Sequence, residues 1–219
     1  MENQIKYFLA QDMFDNGDKQ VPIDITKKYD PLMFWDDFGD KYFKSFKKPQ
    51  ELGKYVQWLI PTLKTLNIET LYDAGCGFCR LEPFLLDSGV VKNITAVDIS
   101  QKQLDCVDEY LKDYDKKDKI DIRKQTLKWS KIPADSYDCV MSIECMQHMH
   151  LSSVRYAVKE IQKLTKKYAI IIERFVFDGE HPLPYIWSHN YPKLFSDIGM
   201  KVLDSKVIGP GLIAMVLEK

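Results

Sequence analysis

No apolar run in the 219 residues approaches the ~18 needed to cross a bilayer. The opening stretch, MENQIKYFLAQDMFDNGDKQ, lacks the basic, apolar and small-residue regions of a secretory leader. Net charge is nearly absent as well. The 31 Lys and Arg stand against 32 Asp and Glu, so no field of one sign marks nucleic acid or an anionic membrane as a partner. The basic pairs Lys116-Lys117 and Lys166-Lys167 read as solvated faces. Cysteine is scarce and odd in number (Cys76, Cys79, Cys106, Cys139, Cys145), which argues against a disulfide framework. Internal repeats and low-complexity tracts are missing. These absences leave cytoplasmic residence as the expectation.

What is present reads as α/β. Residues 1–48 are irregular, broken by Pro22 and Pro31 and rich in aromatics, and are expected to form a helical arm or lid packed on a main domain of residues 49–219. Pro49 suits the first turn of a helix in which Leu52, Tyr55, Val56, Leu59 and Leu63 recur at helical spacing, with Pro61 kinking or ending it. Strands are expected at 68–74, 93–99, 119–125, 137–143 and 168–175, with helices between them. A closing antiparallel pair is expected at 201–208 and 211–219, around Gly209-Pro210. Ser100 and Gln103 form a capping-box pattern at the start of one helix. Val154, Ala157, Val158, Ile161 and Leu164 stripe another. Repeated βα units predict a doubly wound, mostly parallel seven-stranded sheet with a C-terminal antiparallel pair and helices on both faces.

The stretch DAGCGFCRLEP, residues 73–83, poses a choice. C-x-x-C is a redox or metal motif, whereas two glycines after a strand can receive a nucleotide-like ligand against a helix N-terminus. Asp98 closes the second strand 21 residues after Gly77, where a carboxylate can accept from both ribose hydroxyls of a nucleoside. The redox reading leaves the glycines and Asp98 without a role. A structural zinc site wants four ligands, and there is no second C-x-x-C and no pair of His at ligand spacing. The nucleoside turn is therefore expected, with no metal and with Cys76 and Cys79 as small fillers. An acid at Asp73 would repel a pyrophosphate but suits an amino group, which disfavours a nicotinamide oxidoreductase.

At these residues the sequence resembles the class I S-adenosylmethionine-dependent methyltransferases, over about residues 50–219. Their D-x-G-C-G-x-G turn is matched by Asp73, Gly75, Cys76 and Gly77, and their second-strand acid by Asp98. Their P-x-x-S-F/Y-D entry to the fourth strand resembles Pro133, Ser136, Tyr137 and Asp138, and SIECMQHM resembles the segment after it. The resemblance implies S-adenosyl-L-methionine as cofactor and S-adenosyl-L-homocysteine as product. It also implies that Asp73 and Gly75 hold the methionine amino group and backbone, that Arg80 grips the carboxylate, and that Asp98 takes the ribose. Ile99 and Leu127 would then border adenine, and Ile143 the cofactor from the fourth strand. Two positions depart from the pattern. Cys79 replaces the third glycine, and Thr126 stands where many members place an acid for adenine.

Methyl transfer from a sulfonium rests mainly on positioning. The acceptor should lie where the fourth strand ends, which makes Glu144, Gln147 and His148 candidates, with Glu173, His181, Tyr185, His189 and Tyr191 on a facing wall. Glu144, His148 and His189 are the expected catalytic set. Tyr29, Phe34, Trp35 and Tyr42 read first as core packing, with cation–π closure over the site as the alternative. The expected function is methylation of an O or N nucleophile on a small-molecule acceptor. A protein or peptide N-methyltransferase and a non-catalytic cofactor-binding module are the alternatives. Nucleic acid and membrane are not expected as partners.

Overall fold

The computed structural model describes residues 30–47, 52–175 and 186–219. Helices α1 (Pro31–Phe46) and α2 (Gly53–Leu66) precede β1 (Thr70–Ala74), α3 (Glu82–Asp87), β2 (Asn93–Asp98), α4 (Gln101–Asp105), α5 (Val107–Tyr110) and β3 (Ile120–Lys124). Then come β4 (Tyr137–Ile143), α6 (Leu151–Leu164), β5 (Thr165–Arg174), α7 (Tyr191–Ser196), β6 (Lys201–Gly209) and β7 (Leu212–Glu218). The seven strands form one sheet in the order β3-β2-β1-β4-β5-β7-β6. The first five are parallel, and β7 runs antiparallel to both β5 and β6. Among the described residues no helix is long and apolar enough to cross a membrane.

Alternation along the central strands separates two cores. Cys139, Met141, Ile170 and Ile172 pack with α2, α3 and α5 through Leu59, Leu63, Leu85 and Val107. Val140, Ala169 and Ile171 pack with α6 and α7 through Val154, Ile161, Leu164 and Phe195. Two buried faces explain why β4 and β5 read as nearly continuous apolar runs.

Strand order reverses between β1 and β4, so the ends of these two strands, Ala74 and Ile143, flank the crevice in which such sheets bind ligands. The expected elements are found with small shifts, and three differences have physical causes. Pro61 lies on the exposed side of α2 and does not end it; the helix runs on to Leu66 and stops at Asn67, which takes a left-handed φ of 49°. The helix after β1 does not open at the glycines: residues 75–81 form an extended turn and α3 begins at Glu82, with Pro83 in its first turn. The helix after β2 breaks into α4 and α5 at Cys106. Pro49, expected to open α2, and most of the 1–48 arm lie outside the described residues.

Candidate functional site

The turn after β1 is held by β2. Gly75 N–H and Cys76 N–H both donate to the Val97 carbonyl, at 2.8 and 3.0 Å, and Gly77 N–H donates to Asp98 Oδ2 at 3.0 Å. The second Asp98 oxygen accepts from Ser100 N–H at 2.8 Å. Ser100 in turn caps α4 by accepting from Gln103 N–H through Oγ. The other half of the expected capping box is not made, because Asp98 takes the Ser100 N–H that the Gln103 side chain would have bonded. Burial raises the Asp98 pKa against the pull of these backbone donors. Each Asp98 oxygen retains lone pairs for further hydroxyl donors.

Gly75 and Gly77 have φ of +92° and +59°. The space beside Gly75 is filled by protein: a Cβ there would fall 2.5 Å from Cys145 Cβ. Close approach at this glycine is therefore to the end of β4.

These groups line one side of a cavity of about 860 Å³. Asp73, Gly75, Cys76, Gly77, Arg80, Asp98, Ile99, Thr126, Leu127 and Ile143 all contribute to its wall. The same cavity is also lined by Glu144, Gln147 and His148, with Trp35 and Tyr42 of α1 and Tyr55 of α2. Helix α1 lies over this cavity. Its Asp36 accepts from Ser100 Oγ at 2.7 Å, and its Gly39 lets the helix approach the Lys102 backbone closely. Arg80 donates to Tyr42 Oη at 2.7 Å and to the Phe46 carbonyl at 3.4 Å, with its guanidinium against the rings of Tyr42, Phe46 and Phe78. It thus ties α1 to the turn and keeps only its remaining N–H groups for a carboxylate.

At the end of β4, Glu144 takes a left-handed φ of 47°, and its N–H is fixed by the Ile172 carbonyl at 2.7 Å. Tyr55 Oη donates to Glu144 Oε1. Burial first, then the Glu144 charge, holds the Tyr55 hydroxyl protonated and therefore a donor. Gln147 Nε2 approaches Glu144 Oε2 at 3.5 Å and the His148 ring nitrogen at 3.4 Å. His148 is buried, with Trp35 edge-on at 5.0 Å between centroids.

Glu173 lies behind this segment, fully buried. It accepts from Ser142 Oγ and from the backbone N–H groups of Cys145, Met146 and Gln147, at 2.9–3.1 Å. Burial outweighs these donors and pushes its pKa up to about 7. It shapes the short 3₁₀ turn, Met146–His148, that carries Gln147 and His148.

His189 does not join the expected catalytic set. It is buried away from the cavity wall, and its Nε2 donates to the Met149 carbonyl at 2.7 Å. Tyr191 is likewise buried outside the wall. His181, Tyr185 and Tyr29 lie outside the described residues. His150 is exposed and caps α6, its Nδ1 accepting from Ser152 N–H. Trp35 and Tyr42, read first as core, line the cavity.

Several lining residues carry no sequence signal for a site, four of them polar groups of chemical interest. Tyr55 was counted only in an apolar stripe, and Gln125 follows β3 with Nε2 on Tyr72 Oη at 2.8 Å. Arg174, at the end of β5, has a buried Nε with no hydrogen-bond partner among the described residues. Glu82, fully buried at the start of α3, has no well-formed hydrogen bond on either oxygen among the described residues; its polar neighbours are the Asp73 carboxyl and the Cys79 thiol. Asp73 beside it is 4% exposed, and burial raises both carboxyls well above the ordinary range, with Glu82 adding to the rise at Asp73. An acid at the first motif position was legible from the pattern, whereas a second acid nine residues on belonged to no motif.

Residues 72–172 match the family model described as a methyltransferase domain. No curated protein matches the sequence. Among solved structures, the chain is similar to a SAM dependent methyltransferase from Aquifex aeolicus. The identity is 17% and the TM-score 0.65, over 87% of this chain and 99% of that one. It is also similar to magnesium protoporphyrin IX methyltransferase (ChlM) from Synechocystis, solved with bound SAM. There the identity is 16% and the TM-score 0.62, over 100% of this chain and 96% of that one. The [4+2]-cyclase SpnF shares the fold at 15% identity and TM-score 0.63, over 78% of this chain and 82% of that one.

Proposed function

We propose that this chain, which carries a class I S-adenosylmethionine-dependent methyltransferase domain, methylates a nitrogen or oxygen nucleophile on a small acceptor. One observation carries the reading. The glycine turn, Asp98 and Ile99 share a single cavity with Glu144, Gln147, His148 and the aromatic face of α1. Cofactor and acceptor would therefore meet inside one walled space, of the size that small-molecule sites occupy.

The residues present suit the cofactor. Asp98 is held by two backbone donors and faces the cavity with spare acceptor capacity for ribose hydroxyls. Ile99 and Leu127 offer apolar surface for adenine, with Thr126 on the wall in place of an acid. Asp73 lines the cavity beside the turn, where an incoming amino group would draw its carboxyl toward the ionised form that burial disfavours in the free chain. Bound S-adenosylmethionine supplies an electrophilic methyl group on a sulfonium.

On the acceptor side, Glu144, Gln147, His148 and the α1 aromatics would position the nucleophile toward that methyl, and alignment of this kind contributes about 7–11 kcal/mol where geometry is good. Attack by the acceptor's lone pair would displace the sulfur, which would keep the electrons of the broken carbon–sulfur bond. A proton released from nitrogen or oxygen passes to Glu144 or His148, the titratable groups beside it. Tyr55 fixes the Glu144 carboxylate by donating to it.

The cyclase among the structural neighbours is a reminder that a fold carries several chemistries. The test is release of S-adenosylhomocysteine with matching methylated product, assayed over small amines, phenols and carboxylates and over peptides with a free α-amine. Turnover confined to peptides would replace the small acceptor with a peptide. Cofactor binding without turnover on any class would favour a binding module.

A further inference from the structure

The C-x-x-C of the glycine turn gains a third partner in the folded chain. Cys76 Sγ, Cys79 Sγ and a Glu82 carboxylate oxygen all lie within 4.8 Å of one another. Cys79 and Glu82 are fully buried, and Cys76 is half-buried at the cavity wall. Among the described residues no cation reaches Glu82 or Asp73, and the polar groups against the Glu82 carboxyl are another acid, Asp73, and the Cys79 thiol. A buried carboxylate without donors is costly unless a cation or proton neutralises it.

We propose that Cys76, Cys79 and Glu82 form a binding site for a thiophilic divalent cation of the zinc type, seated under the cofactor turn. Two sulfurs and one carboxylate oxygen are a tetrahedral donor set with the fourth position left for water. The mutual separations accommodate such a centre, in which sulfur ligands stand at about 2.3 Å and oxygen ligands at about 2.0–2.2 Å from the metal. An organic ammonium group would be satisfied by the carboxylates Asp73 and Glu82 alone. The two sulfurs in the same cluster select a softer ion, although Cys76 Sγ also lies 3.5 Å from the Gly77 carbonyl. Cys79 also holds a left-handed φ of +61°, which glycine would adopt without cost, so a side chain is kept there against local preference. Binding displaces the thiol and carboxyl protons, two thiolates and one carboxylate then facing the doubly charged ion. The metal would join the turn at Cys76 and Cys79 to the first residue of α3.

The test uses the reduced full chain, stripped of metal, titrated anaerobically with Co²⁺ alone and then with Zn²⁺ against a chromophoric chelator. One equivalent of cobalt with thiolate-to-metal charge-transfer absorption, displaced by zinc, is expected. Cys79→Gly should fold, since its backbone already suits glycine, yet weaken zinc binding by more than about 100-fold, the upper range seen for losing a mere supporting partner. Glu82→Gln should weaken it as well, and Cys106→Ala, outside the cluster, should not. Absence of the thiolate band, or equal affinity in Cys79→Gly and Glu82→Gln, overturns the site. So does a metal-free protein that forms a Cys76–Cys79 disulfide and then still takes up zinc. S-adenosylmethionine affinity, measured by calorimetry on the same metal-free samples, separates this outcome from failure of the methyltransferase reading.

Discussion

Cys145 occupies the space that a side chain on Gly75 would need, so the end of β4 and the turn after β1 fit together only because one of them is glycine. The contact joins the cofactor side of the cavity to the acceptor side through two residues 70 positions apart in sequence. Gly75→Ala meets two obstacles, the clash with Cys145 and a φ of +92°. Overpacking of this kind costs about 1–3 kcal/mol, and the backbone strain adds to it. Denaturant unfolding should show Gly75→Ala less stable by at least ~2 kcal/mol, with part recovered in Gly75→Ala/Cys145→Ala. Full recovery would mean that the φ carries no strain; none would mean that Cys145 is not the obstacle.

Asp98 has two roles that one substitution can separate. Its oxygens hold Gly77 N–H and Ser100 N–H in the folded chain, and they face the cavity. Asp98→Ala should therefore lower stability as well as cofactor affinity, because the turn loses its anchor. Asp98→Asn keeps one acceptor oxygen and the shape. With charged hydrogen bonds contributing about 1.5–3 kcal/mol, calorimetry should show S-adenosylmethionine binding weakened at least tenfold. A folded Asp98→Asn chain with unchanged affinity would remove Asp98 from the ribose position.

What was legible in the sequence was whatever depends on near neighbours. Ser100 reads as a cap and is one, and the stripe on α6 matches its buried face. What was not legible depended on partners far along the chain or on a backbone choice. Tyr55 looks like any other member of an apolar stripe, and nothing local shows that its hydroxyl reaches Glu144, 89 residues away. Gln103 completes a capping-box pattern, but Asp98 reaches the Ser100 N–H first. A glycine turn after a strand suggests a helix opening at once, but the left-handed backbone at Cys79 extends the turn to Leu81. His189 sits in a stretch of aromatics and prolines that suggests a ligand wall, yet its imidazole is turned onto the Met149 carbonyl.

Glu173 predicts a pH dependence of stability. A free glutamate titrates near 4.5, whereas Glu173 keeps its proton up to about 7 in the folded chain. Between these values the folded state binds more protons than the unfolded one. The stability contribution is thus fully present below pH 4.5 and lost as pH rises through 7, amounting to about 3 kcal/mol for a shift of this size. Unfolding free energies at pH 5 and pH 8 should therefore differ by less in Glu173→Gln than in the wild type. Glu173→Gln should also be less stable at pH 5, since the amide turns an N–H₂ toward donors that the carboxyl accepts. Parallel slopes in the two proteins would show that another buried acid, such as Asp73 or Glu82, governs this window.

The final prediction concerns which group at the end of β4 takes the proton. Glu144→Gln retains an oxygen for the Tyr55 hydroxyl and so should fold, and the cofactor contacts at Asp98 and Ile99 are on other strands. If Glu144 is the base, turnover should fall by about 10²–10⁴-fold with S-adenosylmethionine affinity unchanged, and the acidic limb of the pH–rate profile should disappear or move. Tyr55→Phe would then lower turnover more mildly, because it loosens the carboxylate without removing it. If His148 is the base, His148→Ala should show the large loss and the altered limb, while Glu144→Gln keeps the wild-type limb with a smaller loss from misplaced Gln147. Should both variants keep full turnover on the true acceptor, the substrate must supply its nucleophile already deprotonated. The cavity walls would then act by alignment alone, and truncating Trp35, which covers His148 from α1, becomes the change expected to cost rate.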